Sequence, residues 1–198
     1  MQLIPAYFPP IYYIAQLIKQ PVTFCVHAHY QKQTYRNRCT IYGANGKLNL
    51  SIPIQHLKTG QHQKDREVDI LSETNWKKNH WRSLAAAYRS SPFFEFYEDE
   101  LSAVFFQNES KLYQYNLNLI ECIAEWLSVD IEYTLSNAYT PLTHEEEQLI
   151  KAKGTPEIKL PSYAQVFDNK YGFITNLSIL DLIFHLGPAS TSYLEKIG

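Results

Sequence analysis

The sequence predicts an α/β protein: a single domain over residues 1–198, with a mixed central sheet, an N-terminal β-hairpin and covering helices. Three observations predict it. Two β-rich runs, 35–42 and 48–54, flank Asn45-Gly46, the strongest short-range hairpin signal. The opening thirty residues read as strand, proline-rich loop, helix and strand, the order of the first unit of a nucleotide-binding α/β fold. Later segments carry apolar residues at helical spacing, notably Leu112, Leu119, Ile120, Ile123 and Leu127.

Taken in order, Gln2-Leu3-Ile4 is a short strand, and the prolines at 5, 9 and 10 exclude regular structure after it. A helix over 11–20 follows, with Pro10 near its first turn. From Val22 to Tyr30 the residues alternate: Val22, Phe24, Val26 and Ala28 face one side, Thr23, Cys25, His27 and His29 the other, which predicts a strand. After the hairpin, 55–66 is polar and reads as a mobile loop, and 68–71 as a strand. Asn75 or Thr74 caps a helix over 76–90 with the stripe Trp81, Leu84, Ala85 and Tyr88. Ser91-Pro92 ends it, and a second helical piece begins at Phe93. Ser110 caps a long helix to Ser128, and a strand follows over 131–135. Thr143 and Glu146 form a capping box, as do Ser178 and Asp181 at the start of the last helix, which stops at Gly187-Pro188.

Bulk properties narrow the function. A net charge of −2 argues against general nucleic-acid binding. Cys25, Cys39 and Cys122 are odd in number and widely spaced, which predicts reduced thiols in a cytoplasmic protein. No basic leader opens the chain, and no apolar run approaches the ~18 residues of a membrane span, so no membrane insertion is expected. No glycine-rich phosphate loop follows the first strand, which weakens a nucleotide-binding reading of the opening unit, and the sequence leaves any cofactor unknown.

Several constellations could carry chemistry. Lys32, Arg36, Asn37 and Arg38 place two guanidiniums, an ammonium and an amide beside the hairpin, which suggests an anion site. On an extended strand Arg36 and Arg38 face the same way; two surface arginines protecting an edge strand is the competing explanation. His27 and His29 have zinc-compatible spacing, but no third or fourth ligand is marked, and no zinc is expected. Asp181 and His185 lie at i and i+4: they make either a general-base pair or a helix cap beside a packed imidazole. Lys78, Arg82 and Arg89 read as a solvated stripe. Asn116 interrupts an apolar stripe, so its amide either ties backbone or faces a ligand.

Together, Pro5-Ala6-Tyr7-Phe8-Pro9, Asn37-Arg38, the tract 76–81, Pro92-Phe93-Phe94, and 176–182 followed by Gly187-Pro188 resemble, in that order, the WbqC-like proteins. This bacterial family is often encoded with genes of O-antigen and other surface polysaccharides. Ile4, Pro10 and Tyr12 depart from its opening motif, and a later Ser-Gly segment has no counterpart here. The resemblance implies a cytoplasmic transferase-like enzyme, moving an amino-acid or acyl group to a sugar. On this expectation His80 and Asp181 are catalytic, and Tyr7, Lys32, Arg36, Asn37, Arg38, Asn116, Gln165 and Asn176 bind substrate. The expected partners are an anionic small molecule or sugar nucleotide, with a homodimer left open. The alternative is a non-catalytic module that recognises a glycan intermediate or a partner enzyme.

Overall fold

A computed structural model describes residues 1–55, 63–154 and 157–197. Its strands form two sheets. β1 (Gln2–Leu3), β2 (Val22–Phe24) and β5 (Tyr133–Leu135) make a small parallel sheet in the order β1-β2-β5, with Gln2 opposite Thr23 and Val22 opposite Tyr133. β3 (Arg38–Gly43) and β4 (Gly46–Ser51) pair antiparallel as the predicted hairpin, separate from that sheet.

Gly43 pairs with Gly46, so the loop is Ala44-Asn45, one residue earlier than expected. Gly46 supplies the positive φ, +93°, which a side chain would strain; Asn45 stays out of that region. The predicted strand from Val22 stops at Phe24, because the Cys25 N–H makes the last bond to β1, at Leu3 O. Beyond it the chain leaves the sheet but stays buried at Cys25, Val26 and Ala28, and the Val26 and Ala28 carbonyls take the N–H groups of Arg66 and Asp65.

α1 (Ile11–Leu17) carries β1 over to β2, the crossover that parallel pairing requires. α2 (Trp76–Tyr88) buries Trp76, His80, Leu84, Ala87 and Tyr88, so its inward face sits one residue off the expected stripe. α3 (Phe94–Phe105) and α4 (Leu112–Leu127) complete the central helical layer. Ser110 does not cap α4: Lys111 occupies that position, and the Ser110 carbonyl accepts from Ile70 N–H instead. α5 (His144–Ile150) opens with the expected Thr143–Glu146 capping box. A short α6 (Asp168–Tyr171) precedes α7 (Ile179–Leu186), an apolar helix set in the core. Gly187-Pro188 does not end the fold, because a 3-10 turn leads into α8 (Ser190–Glu195). Gly187 is obligatory there: a Cβ would sit 2.6 Å from the Phe93 ring.

Among the described residues no helix is long and apolar enough to cross a membrane. Of the expected loop over 55–66, residues 56–62 lie outside the described residues. Asp65–Glu67 form a 3-10 turn, and Lys64 bridges to His29.

Candidate functional site

The start of β3 gathers most of the predicted recognition residues. Asn37 is buried and fastened to the opposite strand: its Nδ2 donates to Ile52 O at 2.8 Å, and its carbonyl accepts from Ile52 N–H at 2.7 Å. Arg36 precedes the strand, which begins at Arg38, so the two side chains do not continue one strand face as expected. Arg36 turns inward instead, and its Nε donates to Asp65 Oδ1 at 2.8 Å, with both side chains about 95% buried or more. Burial raises the Asp65 carboxyl above its ordinary range, and the Arg36 guanidinium pulls it back down.

Asn116 reaches the same place from α4. Its Nδ2 donates to the carbonyls of Pro5 and Arg36, at 3.0 and 2.7 Å. The amide therefore ties backbone, one of the two readings its position allowed. Tyr7 comes from the proline-rich segment, and its hydroxyl is 2.9 Å from His80 Nδ1. His80 also bonds the Ser51 backbone, directly across the hairpin from Arg38. Burial lowers the His80 pKa to about 4, so the ring is neutral near pH 7. It then accepts from Tyr7 and donates to Ser51, a tautomer assigned from this network.

Polar atoms around residues 36–38 remain unpartnered. Among the described residues, buried side-chain atoms without a hydrogen-bond partner include Arg36 Nη1, Asn37 Oδ1, Arg38 Nε, Asp65 Oδ2 and Asn116 Oδ1. Native proteins leave few such atoms, and a concentration of them asks for an explanation. Arg36, Asp65 and Asn116 line one water-sized cavity of about 10 Å³. Arg38 is half-buried and has no ion pair among the described residues. Its charge and that of Arg36 lower the Tyr30 hydroxyl against the burial that raises it to about 12.

Asp181 and Gln165 belong to a second cluster, near the turn end of β3. Asp181 Oδ2 accepts from Tyr163 Oη at 2.6 Å and from Gln165 Nε2 at 2.7 Å, and the Tyr88 hydroxyl faces the same carboxyl. Burial raises the Asp181 pKa despite these donors. No capping box forms with Ser178, whose hydroxyl accepts from Leu180 N–H. His185 Nδ1 donates to the Asp181 carbonyl at 2.6 Å, while Nε2 accepts from Val166 N–H at 2.9 Å. Its ring is thus engaged by backbone at both nitrogens, and Nδ1 stays 3.9 Å from the carboxylate. Gln165 is clamped to Ile174 through both ends of its amide.

Asn176 lies elsewhere, with φ +53° and its Oδ1 accepting from Tyr12 N–H. Lys32 is exposed and joins neither cluster. Tyr7, Arg36, Asn37, Arg38, His80 and Asn116 are therefore brought together, while Asp181 and Gln165 form a separate group. His27 bonds Arg66 at 3.1 Å, and among the described residues no three His, Cys, Asp or Glu side chains cluster as metal ligands.

The profile of the WbqC-like protein family matches residues 4–155. The chain belongs to that family. An uncharacterised protein of Mycobacterium tuberculosis, Rv1507c, is 26% identical to it over 195 residues, with 84% of each chain covered. No solved structure matches it. The matched WbqC-like segment contains the whole cluster at the start of β3, while Gln165, Asn176 and Asp181 lie beyond it.

Sequence reasoning missed Asp65, Tyr88 and Tyr163. Asp65 sits in a polar stretch with no local mark of burial, and the two tyrosines meet Asp181 only through long-range packing. The hairpin register sets Lys47 and Asn49 opposite Tyr42 and Thr40, on the outward face of β4.

Proposed function

We propose that this WbqC-like chain binds an anionic small molecule, of the sugar-nucleotide class, at the start of β3, as a transferase-like component of bacterial surface-polysaccharide synthesis in the cytoplasm. One observation carries the binding step: Arg38 holds a half-buried guanidinium that forms no ion pair among the described residues. A guanidinium so placed favours a planar anion that accepts two parallel hydrogen bonds. Asn37 and the Arg36–Asp65 pair fix the backbone beside it. The link to polysaccharide synthesis rests on the family resemblance.

A second reading, a non-catalytic module for a glycan intermediate or a partner enzyme, draws support from the imidazoles. His80 is held neutral between Tyr7 and Ser51, and His185 is occupied by backbone at both nitrogens, so neither presents a free base.

Melting curves with and without nucleotide sugars test the proposal. The expected outcome is ligand-dependent stabilisation of the wild type that falls about tenfold or more in apparent affinity in Arg38→Lys, the loss of roughly 1.5–3 kcal/mol for a charge-assisted contact. A variant that melts several degrees lower without ligand would make Arg38 a structural residue and end the assignment. Turnover of a bound donor with a sugar acceptor separates the enzyme from the module.

A further inference from the structure

A cleft of about 340 Å³ lies against the outward face of the hairpin, walled by residues 152–154, 157–158 and 175–177. That volume falls in the ordinary range for small-molecule sites. Its polar lining is biased toward donors. Asn176 Oδ1 is occupied by Tyr12 N–H, so its Nδ2 is the end left for a ligand. Thr40 Oγ1 donates to Asn49 Oδ1 at 2.8 Å, which likewise leaves Asn49 Nδ2. Lys47 and Lys153 add two ammonium groups, neither in an ion pair among the described residues. Glu157 is the one carboxylate among the described lining residues.

A neutral sugar presents hydroxyls that both donate and accept, and it would find few acceptors here. Phosphate oxygens mostly accept, and they match two amides and two ammoniums. The register extends the same face to Arg38. Arg38 and Thr40 are alternate residues of β3, so they share a side, separated by about 7 Å along the strand.

We propose that this cleft is a diphosphate subsite, with Lys47, Lys153, Asn49 and Asn176 on the phosphate oxygens and Arg38 at one end of the ligand. The inference rests on the anion-binding reading of Arg38 and deepens it by naming the group held beside it. Glu157 sets a limit on the ligand's charge at one wall and favours a hydroxyl or amine there.

Calorimetric titration of the full chain with inorganic phosphate, pyrophosphate and UDP tests it, at fixed ionic strength. Wild type should bind pyrophosphate and UDP about tenfold or more tightly than phosphate. Lys47→Gln/Lys153→Gln changes two exposed side chains and should keep the unliganded melting temperature. It should lower pyrophosphate affinity about tenfold or more, to the level at which the wild type binds phosphate. A double variant that binds pyrophosphate as wild type does overturns the subsite. If Arg38→Lys still weakens phosphate in that case, the Arg38 assignment survives alone. Phosphate binding unchanged in Arg38→Lys overturns that assignment instead, and a wild type that binds none of the three probes overturns both.

Discussion

The two ends of β3 carry two buried polar clusters, completed to different degrees. At the turn end, Asp181 Oδ2 collects Tyr163 and Gln165 at hydrogen-bond distance and Tyr88 faces the carboxyl, while Oδ1 alone is left without a partner. At the start of the strand, Arg36, Asn37, Arg38, Asp65 and Asn116 each keep one buried polar atom without a partner. An unmade buried bond costs roughly 1–3 kcal/mol, so five in one neighbourhood form an expensive arrangement. The first cluster has the character of a clasp that fixes α7 against the hairpin. The second is a buried support beside Arg38 that its own side chains leave incomplete.

The largest effect should come from opening the second cluster. Asp65→Ala leaves the Arg36 charge buried and unpaired, and it should cost about 3–5 kcal/mol in chemical denaturation. A cost below about 1 kcal/mol would show that Arg36 reaches solvent and that the pair is not a support for Asn37 and Arg38.

Acidification should act next. The unfolded chain protonates His80 near its ordinary pKa of about 6.5, whereas the folded ring resists until about 4. Between these values the unfolded state binds more protons, so stability falls as pH falls, by about 3 kcal/mol in all. Asp65 and Asp181 oppose this: their carboxyls are raised by burial, so the folded state holds their protons to higher pH and gains stability on acidification above the ordinary carboxylate value. His80→Gln should therefore flatten the fall in stability between pH 6.5 and 4, read by urea denaturation at several pH values. An unchanged slope would remove His80 from the buried set.

At the clasp, Asp181→Leu should cost about 2–3 kcal/mol, because the Tyr163 hydroxyl and one Gln165 donor lose their acceptor, while Asp181→Asn should cost about 1 kcal/mol or less. If the two variants melt alike, the carboxyl is not what holds α7. The smallest effect is expected at Arg38: Arg38→Lys without ligand should shift stability by no more than about 0.5 kcal/mol, because Arg38 has no ion pair among the described residues to lose.

Much of this architecture was legible in the sequence, for reasons that differ by element. The hairpin was announced by Asn45-Gly46, although the register moved the loop onto Ala44-Asn45. α5 was announced by Thr143 and Glu146, since a capping box is a purely local device. What failed was non-local. The alternation from Val22 to Tyr30 is real, but a strand continues only while a neighbour offers hydrogen bonds, and β1 ends at Leu3. α8 was hidden because Gly187-Pro188 reads locally as a stop, although proline is tolerated at the head of a 3-10 turn. At the site, Asn37, Arg38 and Asn116 were singled out from residue type and position. The inward turn of Arg36 was not, because its partner Asp65 is 29 residues away.

The strand order β1-β2-β5 also bears on how the chain is made. The middle strand finds its second neighbour at Tyr133, 111 residues after Val22, and Ile11 N–H waits for the Leu177 carbonyl. Contacts of such long separation slow folding, because the ends of a long loop must meet before any bond rewards them. A nascent chain that has exposed β1, α1 and β2 therefore cannot close its core until α7, some 150 residues later, has left the ribosome. The proline-rich segment and the apolar helix α7 are thus partners in time as well as in space, and the interval between their appearances is when this protein is most open to misassembly.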